Sequence, residues 1–214
     1  MNSDRCRVVQ KSIIDLSQGI SKAPGDEACL PAVWKAYCSS FHAPPVNIGL
    51  PPALSLLTEV HLRGCYLGWR QWCALMHVIV LGYNLQQLDC SCCCLTDDHI
   101  RVLCCALCHS TASNLKILVL SNNRMLSNLS AKYLLQILRQ FPSIQKVDIN
   151  ETGISEVFVA KLIQAIAVAN SQWWRSLIFL CFVDSSSPLP NPFIKSKQLL
   201  QLFWKKLFRT DKEK

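Results

Sequence analysis

The chain has 214 residues, half of them hydrophobic and 17% charged, so it supports one domain or one short repeat array with a continuous apolar core, and it excludes global disorder. The formal net charge is +8, but residues 191–214 hold seven basic against two acidic residues, while residues 1–190 hold fifteen against twelve. The basicity therefore belongs mainly to the end of the chain, and direct nucleic-acid binding by a broad surface on the rest is not expected.

No apolar run reaches the ~18 residues of a membrane-spanning helix. The opening segment, Met1 to Asp15, lacks the apolar core of a signal peptide. An intracellular protein, nuclear or cytoplasmic, with no membrane span is expected. In chain order, a short helix is predicted around Val8–Ser17, broken by Gly19, Pro24 and Gly25. Pro31–Phe41 reads as a second helix with proline in its first turn. Pro44, Pro45, Pro51 and Pro52 then make a linker. Residues 1–53 are thus an N-terminal helical cap and Pro-rich linker, expected to cover the open end of the array that follows.

Residues 54–183 repeat one phrase four times. Its forms are Leu57-xx-Val60-x-Leu62-xx-Cys65-x-Leu67, Leu85-xx-Leu88-x-Cys90-xx-Cys93-x-Leu95, Leu115-xx-Leu118-x-Leu120-xx-Asn123-x-Met125 and Ile144-xx-Val147-x-Ile149-xx-Thr152-x-Ile154. Their starts fall 28, 30 and 29 residues apart, which leaves room for a helix after each strand. The frame puts strands at 58–63, 86–91, 116–121 and 145–150, with Leu62, Cys90, Leu120 and Ile149 in one core column. In the second unit Thr96 and Asp97 cap a helix from Asp98 onward, with Ile100, Leu103, Cys104 and Leu107 facing the core. In the third, Leu134, Ile137, Leu138 and Phe141 repeat that stripe, and Pro142 follows the helix. In the fourth, Ser155 is the cap and Val159, Leu162, Ile163 and Ile166 face inward. Leu177-xx-Leu180-x-Phe182 keeps half the phrase and reads as a degenerate fifth strand. Residues 184–214 are a loop followed by a capping helix at Phe193–Arg209 and a basic tail.

The phrase follows the pattern L-x-x-L-x-L-x-x-N/C-x-L, and over residues 54–170 the chain resembles the ribonuclease-inhibitor class of leucine-rich repeats. The resemblance implies an α/β leucine-rich-repeat solenoid, with parallel strands on the concave face and helices on the convex face. Leu95–Cys104, Leu120–Leu135 and the closing Leu202–Phe208 are also similar to the C-terminal repeats of Tonsoku-like proteins. Those proteins are nuclear scaffolds of recombination repair at stalled replication forks. That similarity implies the end block of a larger scaffold, without the ankyrin module that reads histone tails. NOD-like-receptor tails and Ran GTPase-activating proteins share the repeat class, and no catalytic feature supports the latter.

Thirteen cysteines suit an intracellular chain only as free thiols, and Cys90, Cys92, Cys93, Cys94, Cys104 and Cys105 sit too close in sequence for a disulfide framework. In the repeat frame Cys65 and Cys93 hold the N/C position and Cys90 a core position. The ribonuclease-inhibitor resemblance implies the same heavy use of free thiols. Cys105-Ala-Leu-Cys108-His109 spells the haem-attachment pattern, but Leu107 sits on a core stripe, so packed thiols are expected instead. Zinc between Cys90 and Cys92 is excluded by strand alternation. No phosphate-binding glycine loop, zinc-protease or nucleophile-elbow motif occurs. No enzyme, cofactor, metal or small-molecule substrate is therefore expected.

What remains is the outward side of the strands, where Glu59, His61, Arg63, Gln87, Asp89, Ile117, Val119, Lys146 and Asp148 stack across repeats. This polar strip with an apolar centre suits a protein partner, so the expected function is a protein-interaction scaffold. The alternative is a regulatory or sensing module of NOD-like-receptor type, or a thiol-based sensor.

Overall fold

A computed structural model describes residues 2–18, 28–110, 114–141 and 143–159, and the backbone of 179–181. The elements are α1 (Asn2–Gln18), α2 (Leu30–Ser40), a single 3-10 turn at Leu54–Leu56, β1 (Glu59–His61), α3 (Trp69–Leu81), β2 (Gln87–Asp89), α4 (Asp97–His109), β3 (Ile117–Val119), α5 (Asn128–Gln140), β4 (Lys146–Asp148) and β5 (Phe179–Cys181). Residues 156–159 begin a further helix. The fold is mixed α/β, with one parallel five-stranded sheet in the order β1-β2-β3-β4-β5. Leu162, Ile163, Ile166 and the segment 184–214 lie outside the described residues, as does Pro142. Among the described residues no helix is long and apolar enough to cross a membrane.

Each strand is three residues long, half the predicted length. The hydrogen-bonded ladder nevertheless continues past the strands. Leu62 N–H donates to Asp89 O, Cys90 to Val119 O and Leu120 to Asp148 O, at 2.7, 2.8 and 2.7 Å. Two residues further on, Gly64, Cys92 and Asn122 donate to Ser91, Ser121 and Asn150. The chain is turning there: Gly64, Cys92, Asn122 and Glu151 all have positive φ. That turning ends the extended geometry, so the strands stop while backbone pairing persists. Alternation holds throughout. Val60, Leu88, Leu118 and Val147 are buried, and so are Leu62, Cys90, Leu120 and Ile149 in the predicted core column.

The position after each strand works as a hydrogen-bonding plug. Asn123 is fully buried. Its Oδ1 accepts from Cys93 N and Leu95 N, both at 3.0 Å, and its Nδ2 donates to Cys90 O at 2.9 Å and Leu120 O at 2.8 Å. Cys93 does part of this with one weak donor, its thiol reaching Leu62 O at 2.9 Å. Thr152 donates to Ile149 O at 2.8 Å. One sequence assignment needs correction here: Met125 is exposed, and Leu126 fills the core site at 0% exposure. The third unit has one extra residue in this turn. Gly153 of the next unit packs against that turn so tightly that a Cβ would lie 2.6 Å from Leu126 O.

The N-cap of α4 also differs from expectation. The helix starts at Asp97, and Thr96 alone is the cap, its N–H and hydroxyl both meeting His99 Nδ1, at 3.2 and 2.7 Å. Asp97 instead ties α4 to the start of α5. Its carboxylate accepts from Ser127 N at 2.9 Å, from Ser127 Oγ at 2.5 Å and from the buried Ser130 hydroxyl. Burial raises its pKa, but these bonds outweigh burial and hold it below the usual carboxylate value.

Helices α2, α3, α4 and α5 pack side by side in chain order. Their apolar faces and those of the strands form one core cluster. The predicted stripes Ile100-Leu103-Cys104-Leu107 and Leu134-Ile137-Leu138-Phe141 are all buried. Helix α2 packs against α3 at the start of the row. Its first turn is fixed by Leu30 N–H donating to Pro52 O at 3.0 Å and by the Cys29–Ala53 bridge.

Helix α1 is longer than predicted and takes a different place, lying across α3 and α4 rather than over an open end. It presents Cys6, Val9 and Ile13, all buried. This explains why every residue of α3 from Trp72 to Leu81 is buried: α3 has neighbours all round.

His77 marks that contact. It is 3% exposed, with Tyr37 and Phe41 rings packed on it. Its Nδ1–H donates to Cys73 O at 2.8 Å, which leaves Nε2 to accept from the Ser12 hydroxyl of α1 at 2.9 Å. Burial lowers its pKa, partly offset by the Cys73 bond, and burial likewise lowers that of His99, offset by Asp98. In the unfolded chain both titrate near ~6.5. Below that value the unfolded chain takes up protons that the folded chain refuses. Stability contributed by the two rings is therefore fully present above pH ~6.5 and is lost as pH falls toward their folded values. The urea midpoint should drop between about pH 7.5 and about pH 5.5. A midpoint that stays flat or rises over that range contradicts the neutral, buried state of His77 and His99.

Candidate functional site: the open face of the sheet

Strand alternation sends one set of side chains into the core and the other out. The outward set is in lateral register. Glu59 pairs with Gln87, Gln87 with Ile117, and Ile117 with Lys146. His61 pairs with Asp89, Asp89 with Val119, and Val119 with Asp148. Neighbouring strands lie about 4.8 Å apart, so each column is a line of side chains about 14 Å long over four strands. Arg63, the ninth predicted residue, is exposed and stands just beyond β1. Glu59, His61 and Lys146 are also exposed, while Gln87, Asp89, Ile117, Val119 and Asp148 are partly covered.

The polar groups on this face are partly held. His61 Nε2 meets Glu59 Oε2 at 2.9 Å, with both side chains about half exposed, so the pair contributes little to stability. Asp89 Oδ1 accepts from Ser91 N at 2.9 Å and Ser91 Oγ at 2.7 Å. Asp148 Oδ1 accepts from Asn150 N at 3.1 Å. These bonds hold each carboxylate through its Oδ1. Val119 lies between the two acids. Lys116, one residue before β3, donates to Gln86 Oε1 at 3.0 Å. Ser91 and Ser121, which share the column of Arg63, are buried and close that side of the face.

The backbone register continues beyond β4 to two further positions that were not assigned to the strip. β5 places Phe179 in register with Lys146 and Cys181 with Asp148. The signal was present in Leu177-xx-Leu180-x-Phe182, whose frame sets 179 and 181 as outward positions, but half the phrase is missing there.

The cysteine-rich segments are divided among separate roles. Cys90 is fully buried, and its thiol is raised well above the usual value by burial. Burial also pushes Cys93 up to about 12. Cys94 is exposed and Cys92 half-buried. In the C-x-x-C-H segment His109 is bound locally, its Nδ1–H donating to Cys105 O at 2.9 Å. Among the described residues no group of three or more His, Cys, Asp or Glu side chains is placed to hold a metal ion. No family model, curated protein or solved structure matches the chain.

Proposed function

We propose that residues 54–183 form a leucine-rich-repeat solenoid of the ribonuclease-inhibitor class, whose work is non-catalytic binding of a protein partner on the sheet face. In such a solenoid this face is the concave one, with the helices on the convex side. The observation that carries the reading is the two-column register of Glu59, Gln87, Ile117 and Lys146 beside His61, Asp89, Val119 and Asp148. A half-covered apolar centre at Ile117 and Val119 inside a charged rim has the anatomy of a protein-binding patch. The similarity of Leu95–Cys104 and Leu120–Leu135 to Tonsoku-like repeats supports a nuclear replication-repair complex as the setting.

Ile117→Ser and Val119→Ser should leave the fold intact, since neither is a core position, and should each weaken a partner by at least ~1 kcal/mol. The measurement is the Kd of a partner isolated on the wild-type chain and then purified, alongside circular dichroism of each variant. If both variants bind as wild type while neutralising Lys205, Lys206 and Arg209 abolishes binding, the working surface is the C-terminal segment and the sheet-face reading is wrong.

A further inference from the structure

One thiol of the C-x-x-C-H segment pairs with a thiol just outside it. Cys104 and Cys108 face one another on successive turns of α4, Sγ to Sγ 3.9 Å apart. Cys105, the partner that a C-x-x-C motif suggests for Cys108, turns away. Its thiol donates toward Gln10 O of α1 at 3.9 Å, and its sulfur lies 3.8 Å from His109 Nδ1. Cys104 is buried and Cys108 only half-buried. Among the described residues no other two thiols are in hydrogen-bond contact.

We propose that Cys104 and Cys108 form a reversible redox couple, a modification site for hydroperoxides in which Cys108 reacts first and Cys104 closes the disulfide. The Cys104 contact, helped by the Gln136 side chain, favours the thiolate at Cys108 and outweighs its burial, so its pKa falls below the usual thiol value. The same contact, with burial, raises Cys104, and burial pushes Cys105 up to about 11. The nucleophile is thus the sulfur that solvent can reach.

In the first step the Cys108 thiolate attacks the peroxide. An S–O bond forms, the O–O bond breaks, and an alkoxide or hydroxide leaves and takes from solvent the proton that Cys108 had released, giving a sulfenic acid and an alcohol or water. In the second step the Cys104 sulfur attacks Cys108. The S–S bond forms, the S–O bond breaks, and the hydroxyl leaves as water with the Cys104 proton. Two thiols lose two electrons in all, and the hydroperoxide gains them.

The backbone permits the bond with local rearrangement. Residues four apart in a helix have Cα atoms about 6 Å apart, inside the roughly 4.4–6.8 Å that disulfides span. Their Cβ atoms, about 5–6 Å apart, must approach to about 4 Å. Cys108 sits in the last turn of α4, one residue before its end at His109, where a helix most easily loosens. Distortion of that turn stores strain in the disulfide and makes it easy to reduce, which is the basis of the proposed reversibility.

The test uses the whole reduced chain, exposed to equimolar tert-butyl hydroperoxide, then denatured, alkylated and digested with trypsin. Before oxidation all 13 cysteines should alkylate. After it, the peptide 102–116 should be lighter by two hydrogens, with Cys105 alkylated and Cys104 joined to Cys108, and thiol reductant should reverse this. Cys105→Ser should leave the disulfide, and Cys108→Ser should slow oxidation of the peptide at least about tenfold. A Cys105–Cys108 bond overturns the proposal. So does an unchanged peptide in the wild-type chain while exposed Cys94 is oxidised, a result that needs no variant to fold.

Discussion

Asn123→Ala is expected to be among the most destabilising polar substitutions in this protein. The side chain is fully buried and closes two amide N–H groups, of Cys93 and Leu95, and two carbonyls, of Cys90 and Leu120. Alanine keeps the Cβ and removes every partner. No water can follow into a site at 0% exposure without opening the turn. At about 1–3 kcal/mol for each orphaned buried group, the two amides alone imply a loss of roughly 2–6 kcal/mol. That is a large share of the ~5–15 kcal/mol that holds a domain together. Asn123→Cys should recover part of the loss, because Cys93 at the equivalent place donates to a carbonyl through its thiol. Urea unfolding of the three proteins measures this. A loss below ~1 kcal/mol for Asn123→Ala would mean that the plug does not join the second and third units.

Leu120→Asp should leave no folded protein, whereas Val119→Asp, one residue earlier, should fold. Leu120 is fully buried in the column of Leu62, Cys90 and Ile149. Nothing among its neighbours in that column pairs with a carboxylate. An aspartate there either stays charged and unpaired or is held neutral by burial, and either state costs several kcal/mol, about the whole stability of the chain. Val119 points to the other side of the sheet and is partly open to solvent, so its carboxylate stays hydrated there. Its cost is repulsion from Asp89 and Asp148 on the adjacent strands, which salt weakens. Thermal unfolding followed by circular dichroism separates the two variants. Equal stability in both would show that the inward and outward sets have been exchanged.

The alternation these variants exploit was already legible in the repeated phrase. Its apolar positions recur every two residues inside a strand and every 28 to 30 residues along the chain. Only one lateral register buries all of them, so the outward residues Glu59, His61, Gln87, Asp89, Ile117, Val119, Lys146 and Asp148 followed by elimination. The core stripes of α4 and α5 were legible for the same reason, since a helix with one apolar face must bury it.

Other features depended on neighbours far away in sequence. The turn after β3 buries Leu126 rather than Met125, and it packs so closely on Gly153, 27 residues on from Leu126, that a Cβ there would meet the Leu126 and Arg124 carbonyls. Asp97 looked like a local cap, but its oxygens are claimed by Ser127 and Ser130 of α5. The thiols of Cys105-Ala-Leu-Cys108-His109 were read only as packed, and the structure sets Cys105 against Gln10 of α1 and Cys104 against Cys108. The place of α1 itself was half legible. A helix as apolar as Trp72–Leu81 must be covered on its outer side, but nothing local names the cover. Within the strands and along α4 and α5, sequence by itself determined which residues are inside and which outside, because burial there follows the periodicity of one element. Tertiary structure alone decided which polar and sulfur atoms meet, because those contacts depend on how separate elements are set against one another.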